Sequence, residues 1–452
     1  MPRSHPSLSR TGHVATISLL VLAVMACTAA PGRPVDPPAA TEATGAPTTP
    51  AAVVPLPART AQGDLVAIRV GADPASRRVQ LVDAATGVAT VDLPDGVVDQ
   101  EAGLVYVAAT AAGMTDVTAY ELATGEVRAS TTLAGRLSMP MIGADADPVG
   151  LSGDGGTLAL DVGPELLAKA GPGNGTGGSG VTRFAILATD LASEPEMVEL
   201  PGRWSFDALS PDGAILYLVE HLTTSKQAEY QVRAYDVVTG VLRDAVVVDK
   251  RAGSLLMDGT PVAQATTRAG EWVYTLYRNR EVGPFVHALQ AREVWALCIF
   301  PTKRPTAADE QRAATGWDLV LSEDAGSLYA ANGALGMVTR IPVADPVAAQ
   351  TVTFRGAGGP GSTARGAALS ADARSLHVAS GGNVVQLDAA SLVEGGRFAG
   401  SGGVAALVAR PAGGLYATLR TGRLAVLGTS APGDGVALTG GPARILWVEA
   451  RR

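Results

Sequence analysis

The sequence is poor in the residues that crosslink a fold or read nucleic acid. Cysteine occurs only at Cys27 and Cys298 in 452 residues, so a fold held together by several disulfides is excluded. Aromatic residues make up 4% of the chain, which leaves no evident platform for stacking single-stranded bases. The net charge of -8 also disfavours binding to a phosphate backbone. We therefore expect no nucleic-acid partner.

Histidine is equally scarce, and the sequence carries no recognisable catalytic motif. His221, His287 and His377 are the histidines beyond the N-terminal segment, and they lack the HxxxH or HxH spacing of a metal site. No GxSxG elbow, P-loop or Rossmann fingerprint is present. Cys298 lies in an apolar run and is expected to be a buried thiol rather than a nucleophile. The sequence predicts neither a cofactor nor a metal.

An apolar run near the N-terminus is too short to cross a membrane. It covers Val14–Ala26, about 13 residues, and it follows Arg3 and Arg10. A positively charged start and a short apolar stretch are typical of a secretory signal peptide. We therefore expect residues 1–26 to be a signal peptide that is removed.

The end of this run resembles the bacterial lipobox. Residues 24–27 read Val-Met-Ala-Cys, with an aliphatic residue three positions before the cysteine and a small residue just before it. Met25 departs from the small or polar residue that is usual at its position. The resemblance implies that Cys27 carries a lipid anchor. The alternative is an ordinary secretory peptide with a coincidental cysteine.

Residues 27–60 have a composition that cannot build a core. They are rich in proline, alanine and threonine, and such chains form semi-extended tethers that reach roughly 100 Å at this length. Together with the lipobox resemblance, the tether implies a protein of the bacterial cell envelope. We expect it to be extracytoplasmic and to contact the membrane through Cys27.

The phrase Leu-Ser-Pro-Asp-Gly at Leu209–Gly213 recurs along the chain, and the recurrence indicates a repeat. Pro211 presets φ, Asp212 bonds its own backbone and Gly213 takes the left-handed position of a tight turn. Alternating apolar residues continue to Tyr217, as in a half-buried strand. The other clean copies begin at Leu151, Leu321 and Leu369, and weaker copies lie at Gly63–Ala67, Gly103–Tyr106, Gly270–Tyr274 and Gly413–Tyr416.

A second turn, of the form Asp-x-x-Thr-Gly, follows many of these first turns. Its copies are Asp83–Gly87, Glu121–Gly125, Asp236–Gly240 and the degraded Asp388–Ser391. The unit is therefore strand, first turn, strand, loop, strand, second turn, strand. Four antiparallel strands repeated every 40–58 residues, roughly, are typical of a β-propeller blade.

Eight units can be counted by the residue that follows each first turn at a fixed distance. This column holds Ala67, Tyr106, Ala159, Tyr217, Tyr274, Tyr329, His377 and Tyr416. We expect an all-β propeller of eight four-stranded blades over residues 61–452. Ile445–Glu449 has a strand pattern without a blade of its own, so it should return to the first blade as its innermost strand and close the ring. The alternative is seven blades, with this tail as the outer strand of an irregular last blade.

The repeats resemble those of YVTN and WD-repeat-like propellers of bacterial envelope proteins. The blades of that family combine an s-P-D-G-x-x-L-Y-V hairpin with a D-x-x-T-G turn, as Leu209–Tyr217 and Asp236–Gly240 do here. The Trp-Asp dipeptide of true WD repeats is absent from the blade ends, so that subfamily is not implied. The resemblance covers residues 61–452 and implies a fold rather than an activity.

The two turns of each blade lie at one end of its strands, which we call the turn end. The longer connections emerge at the opposite end, the long-loop end, and include Arg136–Pro148, Gly163–Gly180, His221–Glu229, Arg278–Pro284, Pro301–Gly316 and Arg355–Ala364. Long loops on a rigid scaffold commonly carry binding, so the sequence predicts the ligand or envelope partner there. The alternative for Gly163–Gly180 is a disordered insertion.

Two tryptophans and several charged residues are candidates for ligand contacts at the channel mouth. Trp204 and Trp317 each open a predicted innermost strand, but counting from the aligned leucines puts them one residue out of register, so they should not share a face. The alternative is core packing. The charged or polar candidates are Arg203, Glu220, His221, Asp318 and Arg365. Solvated rim charge is the alternative for Arg203, Asp318 and Arg365, whereas His221, which follows Glu220 just after a strand end, is the histidine best placed for chemistry.

Two functions fit these features. The lack of a catalytic constellation favours a monomeric, non-catalytic binding or scaffold module. The alternative is a lactonase-like hydrolase at the channel mouth, which requires Glu220, His221, Asp318 or Arg365 to converge there.

Overall fold

The computed structural model describes most of the predicted propeller. The described residues are 63–71, 76–143, 147–162, 180–222, 229–249, 257–279, 282–306, 308–309, 316–355, 366–399, 403–428, 435–441 and 443–449. The predicted signal peptide, Cys27, the tether and Arg365 lie outside these residues. No helix in the described part is both long enough and apolar enough to span a membrane.

Eight antiparallel sheets form a ring of blades, as the repeat predicts. Blade 1 holds β1 (Leu65–Val70), β2 (Arg78–Asp83), β3 (Ala89–Pro94) and β32 (Ala443–Glu449). Blade 2 holds β4 (Val97–Asp99), β5 (Leu104–Ala111), β6 (Met114–Glu121) and β7 (Val127–Ala134). Blade 3 holds β8 (Thr157–Asp161), β9 (Val181–Ala188) and β10 (Glu196–Pro201). Blade 4 holds β11 (Trp204–Leu209), β12 (Ile215–His221), β13 (Glu229–Asp236), β14 (Val241–Val247) and the short β15 (Met257–Asp258).

The second half of the ring repeats the same four-stranded order. Blade 5 holds β16 (Thr260–Thr266), β17 (Trp272–Asn279), β18 (Gly283–Gln290) and β19 (Trp295–Ile299). Blade 6 holds β20 (Trp317–Leu321), β21 (Ser327–Asn332), β22 (Met337–Pro342) and β23 (Gln350–Thr353), with a 3-10 turn at Pro346–Ala348. Blade 7 holds β24 (Ala367–Leu369), β25 (Ser375–Ser380), β26 (Asn383–Asp388) and β27 (Glu394–Ala399). Blade 8 holds β28 (Val404–Ala409), β29 (Leu415–Leu419), β30 (Arg423–Leu427) and β31 (Val436–Ala437).

The C-terminal strand closes the ring. β32 pairs antiparallel with β1, from Leu65 opposite Glu449 to Val70 opposite Ala443, and becomes the innermost strand of blade 1. This pairing removes the free inner edge that β1 would otherwise present. The prediction of eight blades with C-terminal closure is confirmed, and the seven-blade alternative is wrong.

The innermost position of blade 3 departs from the regular pattern. No regular strand among the described residues fills it, and isolated bridges join Ser138 to Asp161 and Leu151 to Leu158. The described residues between these bridges, 139–143 and 147–150, do not form a regular innermost strand, and Met141 pairs with Pro148 instead. This part of the chain can therefore cross the centre of the ring, as shown below.

The repeated serine and aspartate shape the first turns. Ser210 Oγ donates to Asp212 Oδ1 at 2.7 Å and accepts from the Ile215 backbone N–H at 2.9 Å, while Gly213 takes φ of +70°. The same serine-to-aspartate bond recurs at 2.6 Å in Ser152/Asp154, Ser322/Asp324 and Ser370/Asp372. The interpretation of these pairs as turn-makers rather than catalytic dyads is confirmed.

The tyrosine column joins neighbouring blades. The phenol of Tyr217 donates to the Ala291 carbonyl at 2.8 Å, and the phenol of Tyr329 donates to the Ala389 carbonyl at 2.9 Å. Both acceptors lie in the second turn of the next blade. His377 takes the same position in blade 7 and is buried there, as a structural role requires.

Candidate functional site

The innermost strands surround a central cavity with two compartments. The larger has a volume of about 1020 Å³ and is lined by blades 2 to 6, whereas the smaller has about 640 Å³ and is lined by blades 5 to 8 and blade 1. Leu321 and Glu323 line both compartments, so the two are contiguous there. First-turn residues of blades 2, 3, 5 and 6 line the larger compartment, which places its mouth at the turn end.

A segment of blade 3 crosses the channel at the long-loop end. We call residues 137–143 and 147–150 the crossing segment. The backbone at Gly143, with φ of +95°, is so close to Pro261 of blade 5 that a Cβ would lie 2.8 Å from the Pro261 oxygen. Asp147 pairs with Arg444 of blade 1 at 2.9 Å. Blades 1 and 5 face each other across a ring of eight, so Gly143 and Asp147 reach opposite sides of the opening.

Arg69 holds the crossing segment in place. Its guanidinium pairs with Asp95 at 2.6 Å, donates to the Gly96 carbonyl at 2.9 Å and also pairs with Asp147. Arg69 is buried, whereas Asp147 remains partly exposed. Because buried arginine needs its full set of acceptors, Asp147 is both a charge partner and an anchor. The crossing segment therefore covers part of the long-loop end, while first-turn residues line the larger compartment at the turn end.

The mouth at the turn end is acidic. Among the described residues that line the larger compartment, Arg268 is the single arginine or lysine, and the acidic residues are Asp99, Glu101, Asp154, Asp190 and Glu323. Arg268 Nε donates to Glu101 Oε1 at 2.5 Å and so links blade 5 to blade 2 across the mouth. Sequence reasoning missed this pair because its members are 167 residues apart.

Most of the residues that line the smaller compartment are apolar, and its charged residues are Asp318, Glu323 and Arg444. Its wall includes Ala367 and Ala368 of blade 7 and Ala405 and Ala406 of blade 8. Asp318, a predicted ligand contact, does line it. The Asp318 Oδ2 atom accepts from the Ala367 backbone N–H at 3.0 Å, so this carboxylate already joins the innermost strands of blades 6 and 7.

The two candidate tryptophans occupy equivalent positions, contrary to the sequence prediction. A bulge at Asp207 inserts one residue into β11, so Trp204 pairs with Glu220 just as Trp317 pairs with Asn332, each four residues beyond the aligned leucine of the second strand. Both indoles are buried, at 3% and 2% exposure. The prediction that they do not share a face is wrong, because the bulge absorbs the extra residue. Burial supports the packing alternative.

The candidates in blade 4 do not converge with Asp318. Glu220 accepts from Gln231 Nε2 at 2.6 Å and pairs with Arg233 at 3.2 Å. His221, the next residue on β12, lies on the other face. Neither Glu220 nor His221 lines the two compartments of the cavity, and neither does Arg203. The structure therefore separates these candidates from the channel residue Asp318 of blade 6.

His221 has a partner that the sequence did not indicate. Its Nε2 lies 2.9 Å from Ser205 Oγ, and its backbone N–H donates to the Arg203 carbonyl at 2.9 Å. Burial, with a smaller contribution from the nearby Arg203 charge, lowers the pKa of His221 to about 4. The imidazole is therefore neutral at neutral pH and a weak base.

The interface between blades 4 and 5 buries an unusual set of polar groups. Gln264, Thr275, His287 and Cys298 are successive cross-strand partners and form a row across blade 5. Gln264 Nε2 donates to the Asp207 carbonyl at 3.0 Å and to Thr275 Oγ1 at 3.1 Å. This row starts at the cavity, which Gln264 lines, and ends at the half-buried Cys298.

Two members of this interface have strongly shifted pKa values. Burial raises the pKa of Asp207 to about 7, and its Oδ2 has no hydrogen-bond partner among the described residues. Burial lowers the pKa of His287 to about 4, with a smaller opposite effect of Asp249. Neither ring nitrogen of His287 has a partner in the described part of the chain. Within that same part, no three His, Cys, Asp or Glu side chains have a metal-binding arrangement.

Comparisons with known proteins show the fold alone. No protein-family model matches the chain, and no curated protein matches it. The structure is similar to apo AztD from Citrobacter koseri, with a TM-score of 0.53, 11% identity, and coverage of 85% of this chain and 98% of that chain. It is also similar to the Dos1 propeller (TM-score 0.47, 8% identity, 87% and 93% covered) and to Saccharomyces cerevisiae Sqt1 (0.44, 9%, 75% and 84%). At 11% identity, the similarity to AztD shows the β-propeller fold and no function.

Proposed function

We propose that this chain is an extracytoplasmic β-propeller, anchored by a lipid on Cys27, that binds a ligand in its central cavity without transforming it. One observation carries the binding proposal. The larger compartment of the cavity reaches the first turns at the turn end, while Gly143 and Asp147 of the crossing segment reach Pro261 and Arg444 at the long-loop end. A concave site built by several rigid blades is where ligand binding is expected.

This proposal moves the binding site relative to the sequence prediction. The long loops were expected to carry binding, and most of their residues lie outside the described part of the chain. That prediction therefore stays untested. One of these loops, Arg136–Pro148, is described apart from residues 144–146 and contributes the crossing segment, and this position favours entry from the turn end.

Ligand retention tests the binding proposal. We would purify the chain with its natural envelope ligands and record native mass spectra of the wild type and of Ala405→Leu, which fills the smaller compartment. Ala123→Leu, on an exposed turn outside the cavity, is the matched control. We expect a bound mass in the wild type and the control and its loss in Ala405→Leu. Equal retention by all three would contradict the cavity as the site.

Membrane attachment is tested through the two cysteines. In bacterial cells fed radiolabelled palmitate, we expect label and membrane fractionation in the wild type and in Cys298→Ser. Cys27→Ser should lose the label and leave the membrane fraction. Label retained by Cys27→Ser would mean that the lipid is not attached to Cys27, since Cys298 is the thiol that this variant keeps. That result would eliminate the proposed anchor.

A hydrolase remains the second candidate, because Ser205 and His221 form a hydrogen-bonded pair at 2.9 Å. A serine with a histidine base is the core of many hydrolytic sites. Neither residue lines the cavity, and the low pKa of His221 makes it a weak base at neutral pH. Hydrolysis of a generic lactone or p-nitrophenyl ester by the wild type, abolished in Ser205→Ala, would favour this candidate over binding.

A further inference from the structure

The central cavity has two chemically different walls. The larger compartment carries five carboxylates against the single guanidinium of Arg268 among its described lining residues. Most residues that line the smaller compartment are apolar, such as Ala367 and Ala405, and its charged residues are Asp318, Glu323 and Arg444. Leu321 and Glu323 belong to both walls, so one ligand can contact both at once.

The guanidinium of Arg268 is a cationic group that is already bound at the acidic wall. Its guanidinium, from blade 5, bonds to Glu101 of blade 2 at 2.5 Å although blades 3 and 4 lie between them. The hydrogen bond to Glu101 and the charge of that carboxylate raise the pKa of Arg268, with a smaller contribution from the charge of Glu323 of blade 6. A cation of the chain itself therefore already pairs with one carboxylate of a mouth that Glu323 of the opposite blade also lines.

This internal pair is easily replaced. The side chains of Arg268 and Glu101 are 82% and 65% exposed. Exposed ion pairs contribute little to stability, so an incoming cation displaces the guanidinium at small cost. An incoming anion would meet the remaining carboxylates and be repelled.

We infer that the central cavity binds a cationic ligand with an apolar body, whose charge replaces Arg268 between Glu101 and Glu323 while its body lies along the alanine wall. The inference rests on the proposed function and adds the chemical class of the ligand. The acidic wall requires a positive charge on the ligand, and the alanine wall requires an apolar body. The carboxylates select the charge, and the small side chains leave room for apolar groups that gain from burial.

Calorimetric titration with simple alkylammonium ions tests this inference. The probes are butyl-, hexyl- and octylammonium, compared with hexanoate and hexanol, and the protein is the full chain with Cys27→Ser to remove the proposed lipid. We expect the affinity to rise by about fourfold for each methylene added, because the burial of one methylene contributes about 0.8 kcal/mol, which is about fourfold in a binding constant. Hexanoate should bind most weakly of the hexyl compounds.

Three variants and one control variant test what each wall contributes to binding. Glu323→Gln should weaken hexylammonium by about fivefold, the scale of one exposed charge contact, and leave hexanol unchanged. Arg268→Gln should strengthen hexylammonium, because the internal competitor is gone. Glu126→Gln removes an exposed carboxylate outside the cavity and should change nothing. Ala405→Leu should reduce the gain per methylene.

The outcomes separate this inference from the proposed function. Hexanoate binding as tightly as hexylammonium, or equal effects of Glu323→Gln and Glu126→Gln, would overturn the cationic ligand. Failure of every probe to bind would overturn it as well. Hexanol binding that is blocked by Ala405→Leu would still support the cavity as a binding site, and the proposed function would then survive alone.

Discussion

The phenol of Tyr217 in blade 4 donates a hydrogen bond to the backbone carbonyl of Ala291 in blade 5, at 2.8 Å and out of contact with water. Tyr274 occupies the same column in blade 5, but its buried hydroxyl has no partner among the described residues. The ring is therefore joined unevenly by the same residue type. The pair provides a matched comparison of a bonded and an unbonded tyrosine.

Tyr217→Phe should lower the free energy of unfolding by about 1 to 2 kcal/mol, because it leaves the buried Ala291 carbonyl without its donor. Tyr274→Phe should be neutral or stabilising, since it removes a hydroxyl that is buried without a partner. Urea denaturation of both variants measures the difference. Equal destabilisation would mean that the phenol of Tyr217 contributes nothing through its bond.

Asp207→Asn should stabilise the propeller at neutral pH. The carboxyl of Asp207 has a folded-state pKa of about 7, above its unfolded value, so the folded state binds more protons between these values. Its contribution to stability therefore falls as pH rises from about 4 to 7 and stays low above 7. The variant should match the wild type near pH 4 and exceed it at pH 8. Melting temperatures across this range test it.

The contribution of His287 to stability should depend on pH in the opposite sense to that of Asp207, and His287→Leu tests this. Burial holds the folded pKa of His287 at about 4, below its unfolded value, so the folded state binds fewer protons in between. Stability is then lost as pH falls from about 6.5 towards 4, because the unfolded imidazole takes up a proton. The variant should be less sensitive to acid than the wild type. His221 shifts in the same direction and is present in both proteins, so the difference in acid denaturation isolates His287.

Asp147→Asn should loosen the crossing segment. The change removes the ion pairs of Asp147 with Arg69 and Arg444, and the first of these arginines is buried. We expect a loss of about 1 kcal/mol in the free energy of unfolding, at the upper end for a partly exposed pair.

Hydrogen exchange locates the effect of Asp147→Asn. Faster exchange at the amides of Leu137 and Ser138 is the expected result. Arg183→Gln, which breaks an exposed pair with Glu199, serves as the control and should leave exchange unchanged. Unchanged exchange at the crossing segment in Asp147→Asn would show that the ion pairs do not hold it.

The sequence alone determined the blades, because their signals are local. Ser210, Asp212 and Gly213 satisfy one another within a single turn, so the same residue types produce the same hairpin wherever they occur. Counting these hairpins was enough to predict eight blades and the return of the last strand to the first. The lipid on Cys27 and the role of Arg365 stay predictions, since both lie outside the described residues.

Tertiary structure decided what meets at the centre of the ring. The bulge at Asp207 restores the register of Trp204, and no pattern in the sequence marks it, because a bulge depends on how two strands pair. The crossing segment and the Arg268–Glu101 pair join blades that are far apart in the chain. Contacts of this kind follow from ring closure, which brings distant turns together. Local composition determines each blade, whereas the geometry of the closed ring determines the cavity and its charges.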